Sequence, residues 1–264
     1  MTAQPEAARL EVVGLGHRFG GNLVLDDLSL RVGAGELVAL IGPNGAGKSS
    51  CFAAIGGQLR PDRGRILLDG ADITALAPER RARAGLARCF QTGSVFASMS
   101  ARENVQTALS AAHGSFWRPW RPAADCAVAE AGALLDELGI ADLARRAAGS
   151  LPPPAIRRLE IAVALAARPR LLLLDEPTAG LASADRAGLA ALIRRLVRPG
   201  GMAVLFVEHD FDMVAAIADQ VVVLDRGARL AAGTPGEVRA DPAVRAAYFG
   251  EAAFGEAANR IDGR

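Results

Sequence analysis

The chain has 264 residues, 51% of them hydrophobic, and a formal net charge of +1 at neutral pH. This length suits one large domain or a core with a smaller subdomain, and the weak charge argues against a nucleic-acid partner. Three scattered cysteines argue against a disulfide framework or a cysteine metal cluster. We expect no signal peptide and no transmembrane helix, because no apolar run reaches the roughly 18 residues that span a bilayer.

An antiparallel β region is expected near residues 9–70, and a short apolar run at 37–41 within it is typical of a buried parallel strand. The next eight residues, 42–49, read GPNGAGKS and fit the phosphate-binding loop G-x-x-x-x-G-K-[ST], the P-loop. Its glycines let backbone N–H groups turn toward an anion, and a helix predicted over 48–59 adds the positive end of its dipole. The sequence therefore predicts a nucleoside-triphosphate site. The alternative is a glycine-rich turn without a ligand.

Lys48 is the only lysine among the 30 basic residues, so an otherwise arginine-using chain places its one compact ammonium in this loop. We expect Lys48 to reach the β- and γ-phosphates and the Ser49 hydroxyl to bind Mg²⁺. The predicted nucleotide-binding residues of the loop are Gly42, Pro43, Asn44, Gly45, Ala46, Gly47, Lys48, Ser49 and Ser50.

Two further strands are predicted to end at the same crevice. Residues 171–174 are four leucines, and Asp175 and Glu176 follow them. Asp175 is placed to hold Mg²⁺, and Glu176 to accept a proton from an attacking water. A helix predicted over 184–197 connects this strand to the next one, 203–207.

Glu208, His209 and Asp210 follow that last strand. A histidine after a strand is more often structural than catalytic. The end of this strand should nevertheless lie near the same crevice, which makes His209 a candidate contact of the γ-phosphate.

In this order the motifs resemble the ATP-binding subunit of an ABC transporter, from RFGG at 18–21 to AYFGE at 247–251. Within that family, the stretches at 88–105, 157–181 and 233–251 are similar to importers of branched-chain amino acids. Importers of ureides or urea share much of this pattern. The resemblance implies an ATP hydrolase that uses ATP and Mg²⁺ and energises import of a small solute.

The resemblance also implies the fold: an α/β P-loop NTPase core with a mostly parallel sheet, an N-terminal antiparallel β subdomain and a helical subdomain. A single nucleotide-binding domain would span 8–254. Its core would comprise 8–91 and 151–232, the helical subdomain 92–150, and a C-terminal extension 233–264.

Residue roles follow from the same resemblance. Phe19 matches the aromatic residue that stacks on adenine, although it could equally be a core residue of the first strand. Gln91 matches the glutamine that contacts Mg²⁺ and signals to the membrane subunit, and His209 matches the switch histidine. Residues 42–50 match Walker A, Asp175 and Glu176 match Walker B, and 179–182 occupy the D-loop, which helps to join two subunits.

The helical subdomain would dock on a membrane subunit. Its expected apolar face consists of Leu134, Leu135, Leu138 and Leu143. Trp117 and Trp120 lie in a proline-bearing insert, where they would touch the partner or lipid, or simply stand in a surface loop.

One motif departs from the family. Where ABC subunits typically carry Leu-Ser-x-Gly-Gln at the start of a helix, this chain has LPPPA at 151–155. Pro152 replaces the serine, Pro154 the glycine and Ala155 the glutamine. Proline suits a first helical turn but has no N–H. We therefore expect the fold to survive, and the contact of this segment with the γ-phosphate on a second subunit to be lost.

The expected partners are a second ATP-binding subunit, as a heterodimer rather than a homodimer, membrane permease subunits and, indirectly, a solute-binding protein. The expected location is cytoplasmic, peripheral on the inner face of the cell membrane. Three other readings stay open: a soluble ABC-type ATPase of DNA repair, a regulatory subunit that binds nucleotide without hydrolysing it, and a degenerate copy without function.

Overall fold

The computed structural model describes residues 8–89, 95–112 and 127–249, and it describes residues 248 and 249 through their backbone only. Ten strands are present in these ranges. They are β1 (Ala8–Phe19), β2 (Asn22–Gly33), β3 (Leu37–Ile41), β4 (Arg63–Leu68), β5 (Ala71–Asp72), β6 (Leu86–Cys89), β7 (Leu171–Asp175), β8 (Ala203–Val207), β9 (Gln220–Asp225) and β10 (Ala228–Gly233).

Nine α-helices connect or follow them in the same ranges. They are α1 (Lys48–Gly56), α2 (Pro78–Arg83), α3 (Ala101–Ala112), α4 (Val128–Glu137), α5 (Pro153–Leu165), α6 (Ser183–Leu196), α7 (Phe211–Ile217), α8 (Pro235–Ala240) and α9 (Pro242–Val244). Two 3₁₀ turns lie at Ala141–Leu143 and Ala148–Ser150, and a π-helical turn lies at Arg245–Phe249.

The central sheet has six strands in the order β10-β9-β3-β8-β7-β6, and all its neighbours pair in parallel except the edge pair β9/β10. Both faces of β3 are covered. Leu37, Ala39 and Ile41 join one hydrophobic cluster, whereas Val38 and Leu40 join the other. Continuous apolar runs are typical of such strands, so the expected mostly parallel α/β core is confirmed.

A second, antiparallel sheet has the order β2-β1-β4-β5 and covers one cluster of the core. This confirms the expected N-terminal β region. The run 37–41 lies within its sequence limits but belongs to the central sheet.

Helices α3 and α4 pack on each other and on α5, with the two 3₁₀ turns beside them. Leu135 and Leu138 are fully buried here, and Leu134 and Leu143 pack against the same cluster. The apolar face that the sequence predicts is therefore turned inward, onto α3 and α5. None of the helices in the described ranges is long and apolar enough to cross a membrane.

Two predicted helix boundaries need correction. The helix expected over 48–59 ends at Gly56, because Gly57 adopts a left-handed conformation with φ 87° and closes the helix with its N–H on Ala54. The helix expected over 184–197 is α6, Ser183–Leu196, where Val197 leaves the helical region with ψ 124°.

Arg81 caps the buried end of α1. It is 1% exposed, and no ion pair of Arg81 within 4 Å is recorded in the described residues, although the Asp72 carboxylate acts on it from further away. Its guanidinium instead donates to the carbonyls of Ala54 and Ile55 at 2.6 and 2.7 Å, and to those of Thr74 and Leu76 at 2.8 and 2.9 Å. Burial lowers the pKa of Arg81. A cation at a helix C-terminus stabilises the last carbonyls and the dipole, so Arg81 fixes the helix that carries the P-loop.

We expect Arg81→Met to lower the free energy of unfolding by about 3 kcal/mol, because four buried carbonyls lose their donors. Urea denaturation of the full chain measures the loss. Arg83→Met, on the exposed side of α2, is the matched control and should change stability by less than about 0.5 kcal/mol. Equal effects of the two changes would contradict the capping role.

Candidate nucleotide-binding site

The P-loop connects the carboxyl end of β3 to the start of α1. Three of its glycines have positive φ: 153° at Gly42, 81° at Gly45 and 101° at Gly47. A Cβ at Gly42 would lie 2.2 Å from the carbonyl oxygen of Leu224, and one at Gly47 would lie 2.7 Å from that of Val24. These positions therefore need glycine for two reasons, backbone conformation and close packing.

The loop presents backbone donors for which the described part of the chain shows no acceptor. Within the described residues, no acceptor is recorded for the N–H groups of Gly45, Gly47, Lys48, Ser49 and Ser50, whereas that of Cys51 already bonds to Gly47 at 2.9 Å. A row of free N–H groups at a helix N-terminus is an anion-binding arrangement. The cradle fits a polyphosphate.

Lys48 is buried and points back into this loop. Its Nζ donates to the carbonyl oxygens of Gly42 at 2.7 Å and Pro43 at 3.0 Å. Burial lowers the pKa of Lys48, while the nearby carboxylates Glu176 and Asp175 act to raise it. An ammonium whose recorded hydrogen bonds go to two neutral carbonyls is ready to exchange them for phosphate oxygens.

Asp175, at the end of β7, forms a largely buried ion pair with Arg88 on the neighbouring strand β6, with Nη2 and Oδ2 at 3.0 Å. The same guanidinium donates to Gln58 Oε1 at 3.1 Å and lies over the ring of Phe52, 5.8 Å from its centre. Arg88 thus links the Walker B carboxylate to α1 and to the loop that follows it. Sequence reasoning missed this residue.

The described residues hold no cluster of three or more His, Cys, Asp or Glu side chains that could bind a metal ion. Mg²⁺ does not need such a cage, because it usually takes one or two protein oxygens and completes its shell with phosphates and water. The Ser49 hydroxyl, exposed and without a recorded partner in the described ranges, and the Asp175 carboxylate are a donor set of this kind.

Glu176 and His209 meet beside this carboxylate. His209 Nε2 lies 2.9 Å from Glu176 Oε1. Glu176 has a positive φ of 48°, an uncommon conformation for a residue other than glycine, of the kind that clusters at functional sites. Both side chains remain accessible, so the Glu176 carboxylate is open to water as a proton acceptor.

Phe19, at the end of β1, is 54% exposed, and its ring meets that of His17 edge-on with centroids 4.6 Å apart. The alternative that Phe19 is a core residue of the first strand is therefore wrong. An exposed, laterally supported ring has a free face on which a base could stack.

The LPPPA segment forms the N-terminus of α5. Pro152 is the N-cap, and Pro153 and Pro154 occupy the first helical positions. The first two N–H groups of the helix, those of Ala155 and Ile156, both bond to the Pro152 carbonyl, at 2.9 and 3.1 Å. The first turn of this helix therefore offers no backbone donor to an anion, whereas α1 offers several.

Three sequence-predicted positions cannot be placed: Gln91, Trp117 and Trp120 lie outside the described residues. The D-loop residues 179–182 follow Glu176 in a turn in which Ala179 N–H bonds to Glu176 and Leu181 N–H to Thr178. Sequence reasoning also missed the role of Glu208, whose buried carboxylate contacts the start of this turn.

The fold and this cradle define a P-loop nucleoside triphosphatase. A family model described as "ABC transporter" matches residues 25–179, and one described as "Branched-chain amino acid ATP-binding cassette transporter" matches residues 228–253. The chain belongs to the ATP-binding proteins of ABC transporters and is a transport-coupled ATP hydrolase.

Individual relatives cover nearly the whole chain. The high-affinity branched-chain amino acid transport ATP-binding protein BraF of Pseudomonas aeruginosa is 42% identical, over 92% of this chain and 98% of its own length. LivG of Escherichia coli, whose name describes the same transport role, is 37% identical over the same shares. The crystal structure of the ADP conformation of MJ1267, an ATP-binding cassette of an ABC transporter, superimposes with a TM-score of 0.81. It is 29% identical and covers 92% of this chain and 99% of MJ1267.

We expect Arg88→Met to destabilise the nucleotide-free protein by about 3 kcal/mol, because Asp175 would stay buried without its cation. Urea denaturation measures this loss, and adding Asp175→Asn in the same chain should recover most of it. The control is Arg170→Met, which breaks a more exposed pair with Asp69 and should cost about 1 kcal/mol or less. Equal losses at Arg88 and Arg170 would contradict the internal counter-ion role.

Proposed function

We propose that this protein is the ATP-binding subunit of an importer for branched-chain amino acids or a related amide or urea compound. It attaches to membrane permease subunits at the inner face of the cell membrane and is served indirectly by a solute-binding protein. Support comes from the names of BraF and LivG and from the C-terminal match at 228–253.

The observation that carries the proposal is the meeting of three strand ends at one crevice. β3 delivers the P-loop with its free N–H groups and Lys48, β7 delivers Asp175 and Glu176, and β8 delivers His209. Donors for a polyphosphate, oxygens for Mg²⁺ and a proton acceptor thus lie on one edge of one sheet.

In the proposed reaction the P-loop N–H groups and Lys48 bind the β- and γ-phosphates, and Phe19 stacks on adenine. Ser49 and Asp175 would hold Mg²⁺, and the family resemblance implies Gln91 as a further contact. Bound Mg²⁺ would offset the charge of the phosphate oxygens. Glu176 accepts a proton from the attacking water, and His209, bonded to Glu176, orients that carboxylate and contacts the γ-phosphate.

The partner in this proposal is a different ATP-binding subunit rather than a second copy. In ABC subunits the helix start that LPPPA replaces reaches a γ-phosphate held by the other subunit. In the described part of the chain, the first turn of α5 offers that phosphate neither an unbonded N–H group nor a hydroxyl at position 152. A homodimer would carry this defect twice. A heterodimer keeps one complete site, formed by this chain's P-loop and the partner's intact motif.

We expect Glu176→Gln to lower ATP turnover at least a hundredfold while ATP binding persists, because the variant keeps the shape and loses the proton acceptor. Lys48→Ala should weaken binding itself. Turnover is measured by phosphate release, and binding by fluorescence of a labelled ATP with Mg²⁺. In cells lacking the native gene, both variants should fail to restore leucine uptake. If the wild-type gene restores urea uptake but not leucine uptake, the transported solute is urea. Wild-type turnover in Glu176→Gln would contradict the catalytic role of Glu176.

We expect Pro152→Ser combined with Pro154→Gly to raise ATP turnover of the reconstituted pair of ATP-binding subunits about tenfold at the site that this helix faces. One regained donor to phosphate, worth roughly 1.5 kcal/mol or more, accounts for that factor. The matched control is Pro78→Ser, a proline that starts α2 away from the site. Unchanged turnover in the double variant would contradict the idea that the prolines silence one site.

A further inference from the structure

Glu208 is a buried carboxylate between two functional segments. It is 4% exposed, and Thr178, which it contacts, is 2% exposed. The two residues follow the parallel strands β8 and β7, whose ends are in register at Asp175 and Val207. The backbone joins the segments once, through the N–H of Glu176 and the carbonyl of Val207 at 3.1 Å.

The carboxylate of Glu208 adds three bonds to this junction. Its Oε1 accepts from the N–H and the hydroxyl of Thr178, at 3.0 and 2.7 Å, and its Oε2 accepts from the N–H of His209 at 3.3 Å. No cation pairs with Glu208 in the described ranges. A buried carboxylate without a counter-ion needs its hydrogen bonds, so these contacts are costly to break.

The bonded segments carry the two residues that must meet. Glu176 lies two residues before Thr178, and its positive φ persists only if the surrounding structure holds it. His209 directly follows Glu208. The side chains of Glu176 and His209 are 28% and 46% exposed, so both are partly open to solvent. Their 2.9 Å contact depends on the backbone on either side, which Glu208 and Thr178 join.

We propose that Glu208 is a positioning residue that, through Thr178, holds Glu176 and His209 in register for ATP hydrolysis. This inference rests on the proposed roles of Glu176 and His209. Glu208 is buried, and its recorded hydrogen bonds go to Thr178 and His209. The turn that begins at Thr178 continues into 179–182, so the same carboxylate also sets the start of the D-loop.

The test uses the full-length chain reconstituted with its partner ATP-binding subunit, with Mg-ATP. Thr178→Val keeps the shape and removes the hydroxyl donor. We expect it to lower kcat about tenfold, since small displacements at a reacting centre cost rate steeply, and to change KM and labelled-ATP binding less than twofold. Thr178→Ser keeps the hydroxyl and should stay within about threefold of wild type. Glu208→Gln, which replaces a charge-assisted acceptor by a weaker one, should also lower kcat and spare KM.

A purely structural role predicts a lower melting temperature with kcat per folded molecule unchanged, and that result would overturn the proposal. Equal losses in Thr178→Val and Thr178→Ser, or a loss of ATP affinity in either, would also overturn it. If Thr178→Val does not fold, the kcat and KM of Glu208→Gln test the positioning role instead. The Glu176→Gln variant distinguishes failure of this inference from failure of the proposed function. If Glu176→Gln is inactive while Thr178→Val and Glu208→Gln are fully active, the positioning role of Glu208 is wrong and the catalytic role of Glu176 stands. If Glu176→Gln is active, the catalytic role of Glu176 is itself wrong.

Discussion

The parallel pairing of β3, β7 and β8 is the constraint on which the rest of the structure depends. Parallel strands bring their carboxyl ends to one edge, so loops that are far apart in sequence deliver phosphate donors, carboxylates and a histidine to one crevice. Both faces of these strands are buried, which leaves little freedom to slip in register. The packing of the hydrophobic core therefore determines where the residues of the site lie.

Charges at this edge are satisfied in different ways. Lys48 rests on two carbonyls of its own loop, whereas Asp175 is paired with Arg88. Two deeper ions, Arg81 and Glu208, are satisfied largely by backbone carbonyls and N–H groups together with one hydroxyl, and neither forms a close ion pair in the described part of the chain. Ions of the second kind fix backbone position, because uncompensated buried charge is expensive. Ions of the first kind can exchange partners when a ligand arrives.

The sequence predicted what local patterns encode. The glycine spacing at 42–47, the apolar runs at 37–41 and 171–174 and the leucines of the helical face all lie where periodicity and motif place them. It did not predict Arg88, Glu208 or Arg81, because their partners are 87, 30 and up to 27 residues away and only tertiary packing brings them together. The end of α1 was misjudged because Gly57 acts through its left-handed conformation, which residue spacing does not reveal.

The prolines at 152–154 show how a helix start can keep its structural role and lose its chemical one. Proline fits the first turn because the N–H it lacks has no partner inside the helix, so α5 begins where the family's helix would. Leu159 and Ala162 continue the buried face, so the prolines leave the packing of the helix intact. Anion binding is affected, because it relies at a helix N-terminus on the N–H groups that proline lacks. The stability of this helix start and its capacity to bind an anion across a dimer are therefore separable, and this separation is the basis on which we propose an asymmetric pair.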